Sequence, residues 1–396
     1  MRVGFVSRYP PVHCGVAEYT KMLISALLSI APRIEICVLS SREAEKEERI
    51  DEPLGIRVIP SFDVGSPRFD GILDALAEIG GVEVLHIEHE YGIFGRARGV
   101  LEAAKEARRE GLSKLAVITM HTVVHPRSGR ERELEFQREL AELDGVVVHS
   151  FLQEFELQWQ GVPASRICRI PHGTLINPYL GLPRQRLADS LGIKRDSLRG
   201  AVLAVPGFLR KDKGLDVLLD ALRHTRRHEF TVLVAGEPRD KEVLEMLEEA
   251  SERTNVVLLE KYLSSDEILR IVALADVLVL PYIDHPGTYS VSGILHLSMG
   301  GLKPIVGSRV PRLVELYQYA PRLTVAPRDP VSLAASIDWL VENYDYSVAY
   351  MATLYGYAAR TQWLRMARRH LRLYRALLKG RTASAAVETE PPPLPP

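Results

Sequence analysis

Val205-Pro-Gly-Phe-Leu-Arg-Lys-Asp-Lys-Gly-Leu-Asp216 is the stretch that decides the fold. The apolar run Ala201 to Gly207 predicts a buried strand, a glycine-containing loop with three cations follows, and a helix comes next. Strand, loop and helix in that order are the repeating unit of a parallel sheet covered by helices. Downstream the unit recurs with strands predicted at Phe230 to Ala235, Val256 to Leu259, Val277 to Pro281, Pro304 to Val306 and Leu323 to Val325. Upstream a second set is predicted at Val3 to Ser7, Ile34 to Leu39, Ile56 to Ile59, Val82 to Ile87, Leu115 to Met120, Gly145 to His149 and Ile167 to Ile170. No sequence repeat links the sets, so the expected architecture is α/β, with two Rossmann-like parallel-sheet domains.

A chain of 396 residues, 46% apolar and 26% charged, is long enough to bury two cores. The expected organisation is an N-terminal domain over 1–177, a hinge region over 178–199 carrying a short helix, and a C-terminal domain over 200–346. One or two helices are expected over 347–378, and a disordered tail over 379–396, rich in small residues and proline. Arg365, Arg368, Arg369, Arg372 and Arg375 of the last helical stretch read as a solvated face rather than a membrane or nucleic-acid patch. The net charge of −1 gives no global attraction to nucleic acid. Cys14, Cys37 and Cys168 are too few and too far apart for a disulfide framework or a paired zinc motif. With no apolar signal core and no run long enough to span a bilayer, a cytoplasmic location is expected, and peripheral contact with a membrane stays open. Only three asparagines, Asn177, Asn255 and Asn343, hint at a thermophilic source.

The chemistry-bearing residues cluster after strands. Gly15 ends the first strand-to-helix connection, where free amides attract phosphate or sugar oxygens; a tight turn needing glycine explains it equally well. It is not part of a GxGxxG fingerprint, which weakens a dehydrogenase reading. His86, His89, His121, His149 and His172 fall just after strands, where open α/β sheets bind ligands. Of these, His121 and His89 are the site candidates, and none of the spacings suits zinc. In the second half, Arg210, Lys211 and Lys213 suit a diphosphate. A helix is expected to begin near Ser290, Val291, Ser292 and Gly293 and to present amides and two hydroxyls at its positive end.

In this order the segments resemble the retaining glycosyltransferases of family 4, the glycogen-synthase-like group with the GT-B fold. The resemblance spans roughly residues 1 to 378. It rests on the Pro-Pro-x-x-x-Gly loop ending at Gly15, the strand end at His121 and the segment Gly207 to Gly214. Ala235-Gly-Glu, Tyr262-Leu-Ser-Ser-Asp-Glu267 and Ser298-Met-Gly-Gly-Leu-Lys-Pro-Ile-Val306 complete it. It implies that the two domains face each other across a cleft, with a C-terminal helix within 347–378 crossing back to the N-domain, that Lys213 and the amides of Ser290 to Gly293 hold the donor diphosphate, that the nucleobase lies near Tyr262 and Leu263, and that His121 sits by the transferred sugar. Two departures stand out. Phe208 follows Gly207 where the family has arginine, so the task falls to Arg210 or the charge is lost. Tyr289 and Leu297 occupy the positions of the family's Glu-x7-Glu pair, and neither replaces a carboxylate's two acceptors toward sugar hydroxyls. Ser292 or His296 is the expected substitute.

The implied activity is transfer of a hexose from a nucleotide diphosphate sugar to an unknown acceptor hydroxyl, with retention. No cofactor and, since no Asp-x-Asp occurs in the chain, no metal is expected. His121, Lys213 and Arg210 are the expected catalytic residues, and the acceptor is expected near His89, Glu90 and Tyr91. A sugar-nucleotide epimerase of the same fold and a non-catalytic sugar-nucleotide-binding protein are the alternatives.

Overall fold

The computed structural model describes residues 1–95, 98–226 and 230–386, and two compact units divide them. Unit 1 comprises 1–172, 286–291 and the chain from 363 onward; unit 2 comprises 173–285 and 292–362.

The sheet of unit 1 contains β1 (Arg2–Ser7), β2 (Glu35–Ser41), β3 (Arg49–Asp51), β4 (Ile56–Phe62), β5 (Val82–His89), β6 (Ser113–Met120), β8 (Gly145–Val148) and β9 (Ile167–Arg169). Their spatial order is β3-β4-β2-β1-β5-β6-β8-β9, parallel except for the β3–β4 pair. Val3, Phe5, Val84, Leu85, Val117 and Ile118 are buried because helices cover both faces, which is why these strands read as continuous apolar runs. The helix Gly15–Ile30 sits on one face with the helix Trp363–Leu378, and it buries Tyr19, Leu23, Ile24 and Leu27 at helical spacing. The helix Phe151–Trp159 starts at a capping box, in which Ser150 and Gln153 satisfy each other's backbone amides.

In unit 2, β10 (Ala201–Pro206), β11 (Phe230–Gly236), β12 (Val256–Glu260), β13 (Val277–Leu280), β15 (Ile305–Ser308) and β16 (Thr324–Val325) form a parallel sheet in the order β12-β11-β10-β13-β15-β16. Chain order reverses between β1 and β5 in unit 1 and between β10 and β13 in unit 2. The loops after those strand ends are the topological switch points where open α/β sheets take ligands.

Three features depart from the sequence expectation. The stretch expected as one or two helices over 347–378 is three helices, Tyr344–Tyr350, Ala352–Arg360 and Trp363–Leu378, of which the first two lie in unit 2. The expected tail over 379–396 does not begin at 379. Ala383 is fully buried and donates its amide to the Ser165 carbonyl at 2.9 Å; residues 387–396 lie outside the described residues. Finally, β14 (Thr288–Ser290) pairs antiparallel with β7 (Thr122–Val124), so of the window Ser290 to Gly293 expected to open a helix, Ser290 lies in a strand and the helix begins at Gly293. Among the described residues, no helix is long and apolar enough to cross a membrane.

Candidate functional site

The switch point of unit 2 is built from the loop 207–214. Gly207 has φ +113 and Gly214 φ +64, backbone that favours glycine, and a side chain on Gly214 would place its Cβ 1.9 Å from the Pro281 carbonyl oxygen. The loop is therefore pressed against the end of β13. Between the glycines runs the 3₁₀ turn Lys211–Lys213. It brings the Lys213 ammonium 4.0 Å from the ring centroid of the fully buried Tyr282, and Lys213 itself is only 8% exposed. Among the described residues no carboxylate lies within ion-pair distance of it. Cation–π attraction holds the ammonium without neutralising it.

Two further cations face Asp212. Arg210 pairs with it at 3.0 Å, and Arg312 pairs with both Asp212 and Asp284, the latter at 2.8 Å. Burial alone raises the Asp212 pKa, but Arg312 and Arg210 hold the carboxyl below its usual range. Three cations against two carboxylates leave an excess positive charge beside Tyr282. Arg312, whose guanidinium also lies 5.7 Å from the Tyr282 ring, is absent from the sequence-based expectation. Arg210 is half exposed and tied to Asp212, so the least neutralised cation is Lys213.

The helix expected to start near Ser290 is Gly293–Met299, with Ser292 as its N-cap; the Ser292 hydroxyl accepts from the Leu295 amide at 3.2 Å and lies 3.4 Å from the Tyr282 hydroxyl. Ser290 belongs instead to β14 of unit 1, and Val291 follows it there, because strand pairing with β7 satisfies that backbone. Of the four residues from Ser290 to Gly293, Ser292 reaches the Tyr282 hydroxyl and Gly293 opens the helix. His296 is fully buried 3.6 Å from Glu315 and is not presented toward a ligand. Leu297 is buried, and Tyr289 packs on the core of unit 1. Leu263 is likewise a core side chain, whereas Tyr262 stays half-buried with its ring 6.0 Å from Phe208. The Arg239 guanidinium lies 4.6 Å over Phe208. The residue that replaces the expected arginine thus forms an aromatic shelf.

In unit 1, His121 follows β6 and is 12% exposed. Its Nε2 lies 3.0 Å from Oε2 of Glu88, a fully buried carboxylate on β5. The ring packs edge-on to Tyr19 at 4.8 Å. Behind Glu88 stands His86, bonded to Thr119 Oγ1 at 2.8 Å and to the Tyr374 hydroxyl. Burial opposes the Glu88 charge, yet His86 and the His121 hydrogen bond hold its pKa down at about 2, while burial pushes His86 down to about 4. An ionised Glu88 accepts the Nε2 proton of His121, which leaves Nδ1 as the acceptor in the neutral ring. Glu88 was not singled out in the sequence, because one carboxylate among the polar residues of β5 has no distinguishing spacing.

The expected acceptor residues fare differently. His89 is fully buried between Phe136 at 4.3 Å and Phe94 at 5.6 Å, with Tyr91 edge-on, so it is a core residue and not an acceptor contact. Tyr91 is buried too, its hydroxyl 3.1 Å from Gln137 Oε1. Glu90 remains half-buried, accepting from the Tyr91 amide and from Thr122 Oγ1. Gly15 is exposed at the first turn of its helix, and a Cβ there would meet nothing within 4 Å. Neither positive φ nor packing demands glycine at that position. Among the described residues, no group of three or more His, Cys, Asp or Glu could hold a metal ion.

Residues 200–343 match the family model described as "Glycosyl transferases group 1". No curated protein matches the chain. Among solved structures, HepE of Anabaena in complex with UDP and glucose is 16% identical, with a TM-score of 0.72 over 96% of this chain and 100% of that one. Sucrose-phosphate synthase of Thermosynechococcus elongatus gives the same identity, coverage and score. A glycosyltransferase of Rickettsia africae is 15% identical, with a TM-score of 0.71 over 96% of this chain and 99% of that one. The chain therefore has the GT-B glycosyltransferase fold, and residues 200–343 within it match the group 1 glycosyltransferases.

Proposed function

We propose that this chain transfers a hexose from a nucleotide diphosphate sugar to an acceptor hydroxyl, retaining the anomeric configuration and needing no metal ion. The observation that carries the reading is Lys213, a nearly buried ammonium at the switch point of unit 2 with no carboxylate within ion-pair distance among the described residues. A departing diphosphate is the anion that such a site stabilises: the bond from the anomeric carbon to the phosphate oxygen breaks, and its electron pair stays on that oxygen. The acceptor oxygen forms the new bond, and its proton leaves to the phosphate or to solvent. Arg210 and Arg312 add positive potential, and the Ser292–Gly293 helix start supplies further amide donors. The Phe208–Tyr262 shelf suits a nucleobase, with Leu263 contributing only backbone. In unit 1, His121 is proposed to accept from a hydroxyl of the transferred sugar, and Gly15 to let that ligand approach the backbone. Glu90 stays as the acceptor-side candidate. The family match over 200–343 and the UDP-glucose complex of HepE support a nucleotide-sugar donor. Free thiols at Cys14, Cys37 and Cys168 fit a cytoplasmic setting.

Thermal-shift measurement with UDP-, GDP- and ADP-glucose tests the reading. A donor at a hundred times its Kd stabilises the native state by about 2.7 kcal/mol, and Lys213→Ala should abolish the shift. No shift with any donor would overturn it. A binding protein without turnover is the second reading, favoured by the packing of Tyr289 and Leu297 where sugar-binding carboxylates are missing. Donor binding without product across an acceptor panel would select it.

A further inference from the structure

The helix Phe151–Trp159 exposes three large aromatics on one side of unit 1: Phe151 is 40% exposed, Phe155 68% and Trp159 63%. At i, i+4 and i+8 they form a ridge along the helix. Neither carboxylate of the helix competes with it, since Glu154 pairs with Arg169 of β9 at 3.2 Å and Glu156 is buried against Gln160. A contiguous apolar ridge of this kind on a polar surface calls for an occupant.

The charge around the same edge says which. β9 is the outermost strand of the sheet. Arg169 of β9 reaches Glu154 on the aromatic helix at 3.2 Å, while Ala383, five residues beyond the helix Trp363–Leu378, donates its amide to the Ser165 carbonyl just ahead of β9 at 2.9 Å. The aromatic helix and the chain that follows the arginine helix thus both meet the β9 edge. The second one exposes Arg365, Arg368, Arg372, Arg375 and, just beyond its end, Lys379, spaced three or four residues apart on one face, with the exposed Leu364 beside them. Residues 363–386 contain seven Lys and Arg and no Asp or Glu, in a chain whose net charge is −1.

We propose that the β9 edge of unit 1, with Phe151, Phe155 and Trp159 on one flank and the Arg365–Lys379 stripe on the other, docks onto a bilayer containing anionic phospholipid. Phenylalanine and tryptophan settle at the boundary between headgroups and acyl chains, and cations near an anionic surface add about 1 kcal/mol each. The combination accounts for both features at once. A nucleic acid would engage the cations but leave the ridge in water, and the solvated-face reading of the arginines leaves the aromatics without a role. The inference is independent of the transferase reading.

Co-sedimentation of the full chain with phosphatidylcholine vesicles, and with vesicles that also contain phosphatidylglycerol, tests it. Binding is expected only to the anionic vesicles, weakening with salt, with a blue shift of Trp159 fluorescence. The double variant Phe155→Ser/Trp159→Ser and the charge reversal Arg368→Glu/Arg375→Glu should each weaken binding at least tenfold, with unchanged thermal melting showing that they fold. Failure to bind anionic vesicles overturns the proposal. So does binding that neither variant weakens, or salt-sensitive binding to duplex RNA in place of vesicles.

Discussion

Oε2 of Glu88 lies 3.0 Å from Nε2 of His121, and that contact joins a fully buried carboxylate to the one partly exposed imidazole at the switch-point end of β6. The carboxylate fixes the tautomer and the ring plane. Glu88→Gln keeps the shape but removes the charge, so kcat is expected to fall on the order of tenfold or more with little change in donor KM. The pH profile of kcat should shift with it, which a purely structural role would not produce. Steady-state kinetics across pH measures both.

Lys213 and Arg210 are predicted to differ although they are three residues apart. Lys213→Ala removes a nearly buried ammonium with no ion-pair partner among the described residues and should lower kcat about 10²-fold. Arg210→Ala removes a half-exposed group already paired with Asp212 and should cost clearly less. Initial rates at saturating donor compare them.

His89 has no hydrogen-bond partner on either ring nitrogen among the described residues and stacks between two phenylalanines. Burial pushes its pKa down to about 3 and that of His86 to about 4. The unfolded chain binds these protons near pH 6.5 and the folded one does not. Stability is therefore full above about pH 6.5 and is lost as the pH falls toward 4, by up to about 1.4 kcal/mol per pH unit for each histidine. His89→Phe should flatten that slope and raise stability by about 1 kcal/mol without reducing activity. Calorimetry between pH 7 and pH 5 is the check.

Two glycines should respond oppositely to alanine. Gly214→Ala meets positive φ and the Pro281 carbonyl, and is expected to cost on the order of 2 kcal/mol or more. Gly15→Ala meets open space and should leave stability unchanged or slightly raised, while weakening donor binding if a ligand comes close to that backbone. Denaturant melts and donor titrations separate the two effects.

The proposed chemistry needs no metal. Turnover is expected to persist in EDTA and to gain nothing from added manganese. Loss in EDTA with recovery on manganese would remove that part of the proposal.

Much of unit 2's site was legible because it is local. Lys213 lies within a dozen residues that spell out strand, glycine loop and helix, and Gly207 and Gly214 mark the backbone turns that hold it. Arg312 was not legible, since it meets Asp212 across 100 residues of chain. Glu88 and His89 show the same limit within one strand. Adjacent side chains point to opposite faces of a sheet, so Glu88 faces His121 and His89 an aromatic core, and the order His-Ile-Glu-His does not say which is which.

The sequence by itself determined the two parallel α/β sets, the cation loop and the absence of the acidic pair at Tyr289 and Leu297. Periodicity, glycine spacing and side-chain chemistry are local properties, and each is written in a short window. Only the tertiary structure decided that Lys213 rests on the Tyr282 ring, that His121 is backed by Glu88, that Ser290 lies in a strand, and that Phe151, Phe155 and Trp159 face outward. Those are outcomes of which surfaces bury one another, and burial depends on elements far apart in the chain.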